Sequence, residues 1–298
     1  MRLQDLRLLL TLAETGTLRA CAERLHVTQP ALTKALKQLE AELGTALFFR
    51  TAKGMRLAPA GEVLAARAMN VMRELDHARE EVASLTQSVQ STVTLGVSPA
   101  AAIVLAPGAI ARLRSRWPQV KVRVVDALYP KALAQLRSGE VDLVLGPYPE
   151  QSGGQDVRVQ PLLETEDVVA ARAGHPLAQV ERLEELAQAD WILTGPRLGP
   201  GDPVQLQEHG LRSPRVVLEC ESFSTLLSLL PSTDALAIMP RRFFVIHGER
   251  TGLVMLPIGT PLPRLMINLI VRADGPLSLP TQRLLDMLQE EARAQRAG

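Results

Sequence analysis

The sequence contains few cysteines and few aromatic residues. Its two cysteines, Cys21 and Cys220, each lie within an apolar pattern typical of a helix, and no CxxC pair occurs. The sequence therefore indicates neither a disulfide framework nor a zinc site, which fits a protein of the reducing cytoplasm. Phe, Trp and Tyr make up only 3% of the chain, so two aromatic residues at one cleft would be notable.

Long apolar runs are also missing. No stretch approaches the roughly 18 uninterrupted apolar residues that a membrane-spanning helix needs. The start, MRLQDLRLLL, carries charges at Arg2, Asp5 and Arg7, so we expect neither an export signal nor a membrane anchor. A hydrophobic fraction of 46% over 298 residues still suffices for the cores of two or three domains.

The chain has almost no net charge, but its charges are unevenly distributed. The overall balance is +1, whereas residues 1–60 hold nine Lys and Arg against five Asp and Glu, a balance of +4. Residues 61–90 carry −2. This asymmetry favours a polyanionic partner at the amino-terminal end.

The first 45 residues have the pattern of three short helices. Leu6, Leu9, Leu10 and Ala13 recur at helical spacing, residues 15–17 (TGT) end that helix, and a second helix is predicted over residues 18–25. Thr28 is suited to cap a third helix, and Pro30 to its first turn. We expect the apolar residues of this helix to face the other helices; they are Leu32, Leu36, Leu39 and Leu43.

The polar residues left on the third helix have the arrangement of a helix-turn-helix recognition helix. Gln29 matches the N6/N7 edge of adenine, Thr33 offers a hydroxyl and a methyl group, and Lys34 and Lys37 suit guanine edges or phosphates. Residues 48–57 are predicted to form two short strands that turn at Lys53-Gly54, a wing that carries two more basic residues. The predicted DNA-binding residues are Thr28, Gln29, Pro30, Thr33, Lys34, Lys37, Arg50 and Lys53.

An ordinary three-helix bundle with a solvated polar face would share part of this pattern, but the whole string is more specific. Residues 17–61, TLRACAERLHVTQPALTKALKQLEAELGTALFFRTAKGMRLAPAG, resemble the winged helix-turn-helix of the LysR-type transcriptional regulators. The positions that match that family's pattern are Gly16, Ala22, Leu25, Gln29, Pro30, Ala31, Leu39, Glu40, Leu43, Gly44, Leu47, Phe48, Arg50, Leu57 and Gly61. The resemblance implies a regulator of transcription that binds double-stranded DNA.

Residues 60–86 contain no proline and are predicted to form one long helix. Apolar residues alternate steps of four and three along it: Leu64, Ala68, Val71, Leu75, Ala78, Val82 and Leu85. We expect this seam to pair with the same helix of a second copy, and packing on its own domain is the alternative. A two-fold homodimer implies an interrupted palindrome with half-sites about one helical turn apart.

From residue 91 onward, strand patterns alternate with helix patterns, which indicates βαβ units. Strands are predicted at 93–97, 120–125, 141–145, 167–171, 191–193, 216–218, 236–239 and 264–271, and helices at 103–116, 131–138, 223–230 and 281–294. The resemblance implies a periplasmic-binding-protein-like effector domain of two Rossmann-like lobes with a cleft between them. It also implies a homotetramer.

The predicted fold is therefore multidomain: an all-α winged helix-turn-helix with a linker helix, followed by an α/β effector domain of two lobes. We expect the DNA-binding domain at residues 1–58, the dimerisation helix at 59–89 and the effector domain at 90–298. Within the latter, the first lobe is expected at about 90–162 and 265–298, and the second at about 163–264.

Ligands of open α/β sheets bind beyond the carboxyl ends of strands, near helix N-termini. The residues predicted there are Ser98, Pro99, Ala100, Ala101, Tyr129, Gly146, Pro147, Tyr148, Thr194 and Phe223. We expect a small organic anion whose charge is held by Ser98 and the following backbone amides, with Tyr148 and Phe223 flanking its body. No cofactor or metal is expected.

Two other classes of protein share parts of this pattern. Residues 96–100 (GVSPA) come within one residue of the GxSxG motif of hydrolases, but Ala100 replaces the second glycine. The five histidines occur singly, without the spacing of a metal site. A solute-binding protein without a DNA-binding role is the second alternative, against which the amino-terminal string and the expected lack of an export signal both argue.

Overall fold

The computed structural model describes residues 1–52, 54–85, 91–148, 156–197, 199, 201–248, 251–273 and 275–297. The chain divides into two compact units, one of residues 1–91 with 137–140 and one of residues 92–136 with 141–298. No helix within the described ranges is both long and apolar enough to cross a lipid bilayer.

The first unit contains the three predicted helices, a hairpin and a long helix. Its elements are α1 (Leu3–Thr15), α2 (Leu18–Arg24), α3 (Gln29–Leu43), β1 (Phe48–Thr51), β2 (Gly54–Leu57) and α4 (Pro59–Leu85). The side chain of Thr28 accepts a hydrogen bond from the Ala31 N–H at 3.4 Å, so the predicted cap of α3 is confirmed. Gly16, in the left-handed region with φ 68°, ends α1.

The core of the first unit is formed by apolar residues from all three helices and the hairpin. The fully enclosed members include Leu9, Leu12, Cys21, Leu32, Leu39 and Leu47. The prediction that Leu43 faces the other helices is wrong, because its side chain is 41% exposed. It lies in the last turn of α3, where Gly44 turns the chain away with φ 69°.

The hairpin is attached to both α3 and the turn after α1. Oε1 of Glu40 accepts a hydrogen bond from the Leu47 N–H at 2.8 Å, at the start of β1. The Met55 N–H donates to the Gly16 carbonyl at 2.7 Å. Gly54 has φ 122°, and a Cβ there would overlap the same carbonyl oxygen, so a glycine is required at this close approach. These contacts fix the position of the hairpin relative to α3.

The first turns of α4 pack on their own unit. Ala65 and Ala68 are buried in its core, and Leu64 packs against that core. The prediction that the whole seam pairs with a second copy is therefore wrong at Leu64 and Ala68, because both side chains pack against the core of their own unit. Farther along, Val71 and Val82 are exposed, while the side chain of Leu85 lies outside the described part of the chain.

The second unit is an α/β structure. Its strands are β3 (Thr92–Val97), β4 (Lys121–Asp126), β5 (Leu143–Gly146), β6 (Val157–Arg172), β7 (Asp190–Thr194), β8 (Arg215–Cys220), β9 (Ala235–Pro240), β10 (Leu253–Met255) and β11 (Arg264–Arg272). Its helices are α5 (Pro99–Val104), α6 (Ala106–Arg116), α7 (Lys131–Arg137), α8 (Phe223–Leu229), α9 (Arg241–His247) and α10 (Leu279–Ala297). Short 3₁₀ turns occur at Leu183–Leu186, Pro203–His209 and Leu230–Ser232.

Residues 103–116, predicted as a single helix, belong to two helices. α5 begins right after Ser98 and ends at Val104, and α6 begins at Ala106. Pro107 has no N–H to donate to the carbonyl of Ile103, so the helical hydrogen-bond ladder is interrupted there. The short α5 therefore stands between β3 and α6.

Two groups of parallel strands are joined by antiparallel strands. β3 lies parallel to β4 and β5 in what we call the first lobe, and β7 lies parallel to β8 and β9 in the second lobe. β11 pairs antiparallel with β5 and β6. The strand order is β4-β3-β5-β11-β6-β9-β7-β8, with β10 also paired to β6.

β6 is a strand of 16 residues that serves both lobes. It pairs with β11 from Val157 to Glu166 and with β9 from Asp167 to Ala170. The sequence predicted a strand only over 167–171, so the first ten residues of β6 were missed. Asp167 stands where β6 changes partner.

Each lobe has its own apolar core. In the first lobe, Leu95, Leu105, Leu145 and residues of α10 enclose one core. In the second lobe, Trp191, Leu183 and Leu236 are fully buried together. Each lobe thus has its own core, and α5 of the first lobe also contacts the second, because Ile103 packs against the apolar cluster that contains Phe243.

Candidate nucleic-acid interface and ligand cavity

Five of the predicted DNA-binding residues lie together on the outer face of α3. Gln29, Pro30, Thr33, Lys34 and Lys37 line one open surface hollow of about 510 Å³. All of them except Thr33, which is partly buried, are exposed. Within the described part of the chain, neither lysine forms an ion pair. The two ammonium groups are thus available to meet phosphates.

The two threonines of this face already make local hydrogen bonds. Thr28 caps α3, as described above, and Oγ1 of Thr33 donates to the Gln29 carbonyl at 2.9 Å. The Thr33 hydroxyl proton is therefore used within the helix, which leaves its methyl group and an oxygen lone pair for a base edge. Among the residues that the structure describes, none forms a hydrogen bond with the side-chain amide of Gln29, so its donor and its acceptor are both available for the edge of adenine.

The wing adds one described basic residue. Arg50 lies exposed on β1, opposite Met55 in the hairpin register. It forms no ion pair with any carboxylate that the structure describes. Lys53, predicted to contact DNA at the turn of the wing, lies outside the described residues.

The second unit contains a cavity of about 540 Å³ between its two lobes. Three of the predicted effector residues line it: Tyr129, Pro147 and Tyr148. The rest of the wall is largely apolar, with Leu128, Pro196, Leu206, Ile238, Leu262, Pro263 and Leu265 among its members. Its polar side chains include Asp167, Arg197, Gln205 and Arg264.

A narrow recess of about 60 Å³ adjoins this cavity and shares part of its wall. The predicted residues that line it are Ser98, Pro99, Ala100, Pro147, Thr194 and Phe223. Ala101 and Gly146 belong to neither set of lining residues. Ala101 is fully buried, and Gly146 packs directly behind Ser98.

Ser98, at this recess, forms the N-terminal cap of α5. Its Oγ accepts a hydrogen bond from the Ala101 N–H at 3.3 Å and so caps α5. Its own N–H donates to the Leu145 carbonyl at 2.9 Å. Phe223 stands edge-on to Phe243, with ring centroids 5.6 Å apart. Phe223 lines this recess and Tyr148 lines the adjoining cavity, so the prediction that both flank the body of one effector stays a prediction.

Asp167 is a cavity-lining residue that was not predicted from the sequence. It contributes to the walls of both the cavity and the recess. Asp167 is partly exposed to the cavity, and the protein around it raises the pKa of its carboxyl group to about 7 by displacing much of the surrounding water. Its carboxyl group has neither a hydrogen bond nor an ion pair with the residues described. In the sequence, Asp167 could have been noticed as the one carboxylate at the start of the apolar run DVVAA (167–171).

A winged three-helix unit with a basic outer face, followed by a two-lobed α/β unit with an internal cavity, defines a class of protein: DNA-binding regulators that carry their own ligand-binding domain. Two family models match the chain. Residues 3–62 match the bacterial regulatory helix-turn-helix protein of the lysR family, and residues 86–293 match the LysR substrate binding domain. The chain therefore belongs to the LysR family of transcription regulators, and the resemblance seen in residues 17–61 is confirmed.

Individual relatives agree with this assignment. The HTH-type transcriptional regulator GalR of Pseudomonas putida is 30% identical over 277 residues, covering 90% of this chain and 68% of the relative. A full-length OxyR variant from Pseudomonas aeruginosa is 27% identical, with a TM-score of 0.68 over 98% of this chain and 95% of that one. CbnR in complex with its target DNA has a TM-score of 0.70 over 98% of this chain and all of that one. At 17% identity, this last likeness concerns the fold alone.

The family assignment also answers the two alternatives. Its members are transcription regulators and not enzymes, so the near match to GxSxG in residues 96–100 is the start of a capped helix. The amino-terminal match over residues 3–62 likewise excludes a solute-binding protein without a DNA-binding domain.

Proposed function

We propose that this protein binds an interrupted palindromic operator as a homodimer and that a small molecule in the interlobe cavity changes this binding. The observation that carries the proposal is the outer face of α3, where two lysines without a described ion pair lie beside Gln29 and Thr33 in one hollow. Such a face suits the major groove of DNA.

The proposed roles follow from the chemistry of each side chain. Gln29 reads adenine, Thr33 presents its methyl group to thymine, and Lys34 and Lys37 contact phosphates or guanine. Arg50 on the wing contacts the backbone or the minor groove, and Lys53 keeps the same predicted role. Thr28 and Pro30 fix the position at which α3 begins.

Dimerisation is proposed to occur through α4. Val71 and Val82, two members of the seam predicted from the sequence, are exposed apolar residues on this helix, and an exposed apolar seam favours a partner helix. A two-fold dimer of this kind would contact half-sites about 34 Å apart. A homotetramer formed through the effector domains is the expected assembly of the family.

We further propose the domain limits expected from the sequence. DNA binding is assigned to residues 1–58, dimerisation to 59–89 and effector binding to 90–298, the last with its two lobes. The target is chromosomal DNA, so the proposed location is the cytoplasm.

The effector is proposed to act by preferring one arrangement of the lobes. A ligand shifts such an equilibrium only by its difference in affinity for the two arrangements, which is typically about 1–3 kcal/mol. The cavity residues Tyr129, Pro147 and Tyr148 support this role, and the recess residues around Ser98 adjoin them.

Fluorescence anisotropy with a labelled fragment from the protein's own upstream region tests the proposal. Specific binding should weaken as salt concentration rises, because phosphate contacts release counterions. Lys34→Ala and Lys37→Ala should each reduce the slope of log K against log salt by about 1. Lys121→Ala, an exposed lysine on β4, is the matched control and should leave the slope unchanged. Equal slopes for all three variants would contradict the assigned DNA face.

A further inference from the structure

The interlobe cavity has the size and the wall of a site for a small organic molecule. Its volume of about 540 Å³ lies within the roughly 300–1,000 Å³ common for such sites. Two tyrosines, Tyr129 and Tyr148, share a largely apolar wall. The polar groups that would fix a ligand's orientation are few, so the charge of each one matters.

The positive charges at the cavity already have partners. Arg264 pairs with Glu164 at 3.0 Å and with Glu166 at 3.7 Å, and Glu166 pairs in turn with Arg241 at 3.0 Å. These two arginines and two glutamates balance one another. Arg197 pairs with Glu219. An incoming anion would have to compete with a protein carboxylate for either cavity arginine.

Asp167 is the carboxylate of the cavity wall that has no ion-pair partner among the described residues. It lies at the point where β6 passes from β11 to β9, and it lines both the cavity and the recess. The titratable groups that share the cavity wall with it are Tyr129, Tyr148, Arg197 and Arg264. Glu166 and Arg241, on β6 and α9, border it in a neighbouring hollow. When Asp167 ionises, the cavity therefore acquires one unbalanced negative charge.

We propose that Asp167 anchors an amino group of the effector, its carboxylate accepting a hydrogen bond from the ammonium while the rings of Tyr129 and Tyr148 border the organic body of the molecule. The effector class is thus an organic amine, and this inference rests on the proposed regulatory function. A cation near tyrosine faces gains further electrostatic attraction. This class differs from the organic anion expected from the sequence, because both cavity arginines already pair with protein carboxylates, whereas the carboxyl group of Asp167 has no described partner.

The titration of Asp167 predicts how binding depends on pH. With a pKa of about 7, the free protein holds a mixture of neutral and charged carboxyl groups at neutral pH. An ammonium binds the charged form, so amine affinity should rise about fivefold between pH 6 and pH 7 and about twofold more between pH 7 and pH 8. A neutral carboxyl that donated its proton to an anionic ligand would give the opposite slope.

The test uses the full-length protein and probes matched in carbon frame. Benzylamine, phenethylamine and tryptamine are compared with phenylacetate, 3-phenylpropanoate and indole-3-propanoate by thermal shift, followed by calorimetry between pH 6 and pH 8. At least one amine should raise the thermal midpoint and bind at least tenfold more tightly than its carboxylate partner. Its affinity should follow the rising pH profile.

Variants assign the effect to Asp167. Asp167→Asn should weaken amine binding at least tenfold at pH 8, whereas Glu208→Gln, an exposed carboxylate in the second lobe, should leave it unchanged. The proposal is overturned if no amine binds, if carboxylates bind more tightly, if affinity falls with rising pH, or if Asp167→Asn binds amines as well as the wild type does. The pH profile of the wild type decides the matter even if the variant fails to fold.

Operator binding by the same wild-type preparation separates this inference from the proposed function. Specific DNA retention without amine binding would remove only the amine anchor. Amine binding without any DNA retention would support the anchor and contradict the regulator.

Discussion

Replacing Asp167 by asparagine should stabilise the ligand-free second unit at neutral and alkaline pH. The carboxyl group lies in the interlobe cavity, where burial raises its pKa from 3.8 to about 7. Asparagine has nearly the same shape and carries no charge. The substitution therefore removes the cost of holding a poorly solvated carboxylate in the folded state.

The magnitude and its sign follow from proton linkage. Below pH 4, Asp167 is neutral in both the folded and the unfolded chain and contributes no difference. Between pH 4 and pH 7, the unfolded chain loses the proton first, so the free energy of unfolding of the wild type falls as pH rises. A shift of about 3 units corresponds to an upper limit of roughly 4 kcal/mol, reached above pH 7.

Urea unfolding of the full-length chain, followed by tryptophan fluorescence, measures this effect. Trp191 is fully buried in the second lobe and reports its unfolding. The difference in unfolding free energy between Asp167→Asn and the wild type should grow steadily from pH 4 to pH 7 and then stay constant. Glu208→Gln, which changes an exposed carboxylate, is the control and should show little growth. A difference between Asp167→Asn and the wild type that is independent of pH would refute the reasoning.

Three further substitutions test the first unit. Gln29→Ala should weaken specific operator binding by about 1–3 kcal/mol and non-specific binding far less. Gln38→Ala, on the opposite side of the same helix, is the control. An equal loss on both kinds of DNA in a competition titration would argue against a base contact. Thr28→Ala should lower the unfolding free energy of the first unit by about 1 kcal/mol, whereas serine at that position should retain the cap; equal stability of the two variants by thermal melting would exclude a capping role. Val71→Asp should convert the dimer to a monomer, as measured by light scattering. Val245→Asp, at an exposed valine on α9, is the control and should leave the dimer intact. A dimer that persists in Val71→Asp would place the interface elsewhere.

The elements predicted well from the sequence are those whose signals are local. Thr28 and Pro30 define the start of α3 within a few residues, and the wing turns at a glycine that the hairpin requires. The strands of the parallel groups are short apolar runs between turn residues. In each case the determining interaction is between near neighbours in the chain.

The errors concern contacts between residues far apart in the sequence. The first part of β6 contains Pro161 and several charged residues, and it is a strand only because β11, a hundred residues later, pairs with it. Ala68 has the spacing of a dimer seam, but it is buried in the core of the first unit, where α4 packs on α1. Asp167 becomes a cavity residue only when segments of both lobes meet around it. A single sequence does not show which residues far apart in the chain come into contact.

The sharing of β6 by two lobes limits the motions available to the second unit. If one lobe slid along the other, β6 would lose its hydrogen bonds either to β11 or to β9. A rotation of one lobe about the axis of β6, between Glu166 and Asp167, would keep both sets of hydrogen bonds. The pivot of such a rotation then coincides with the wall of the cavity. A molecule bound beside Asp167 would therefore contact the strand segment about which the lobes rotate, so a change in its fit would alter the angle between the lobes.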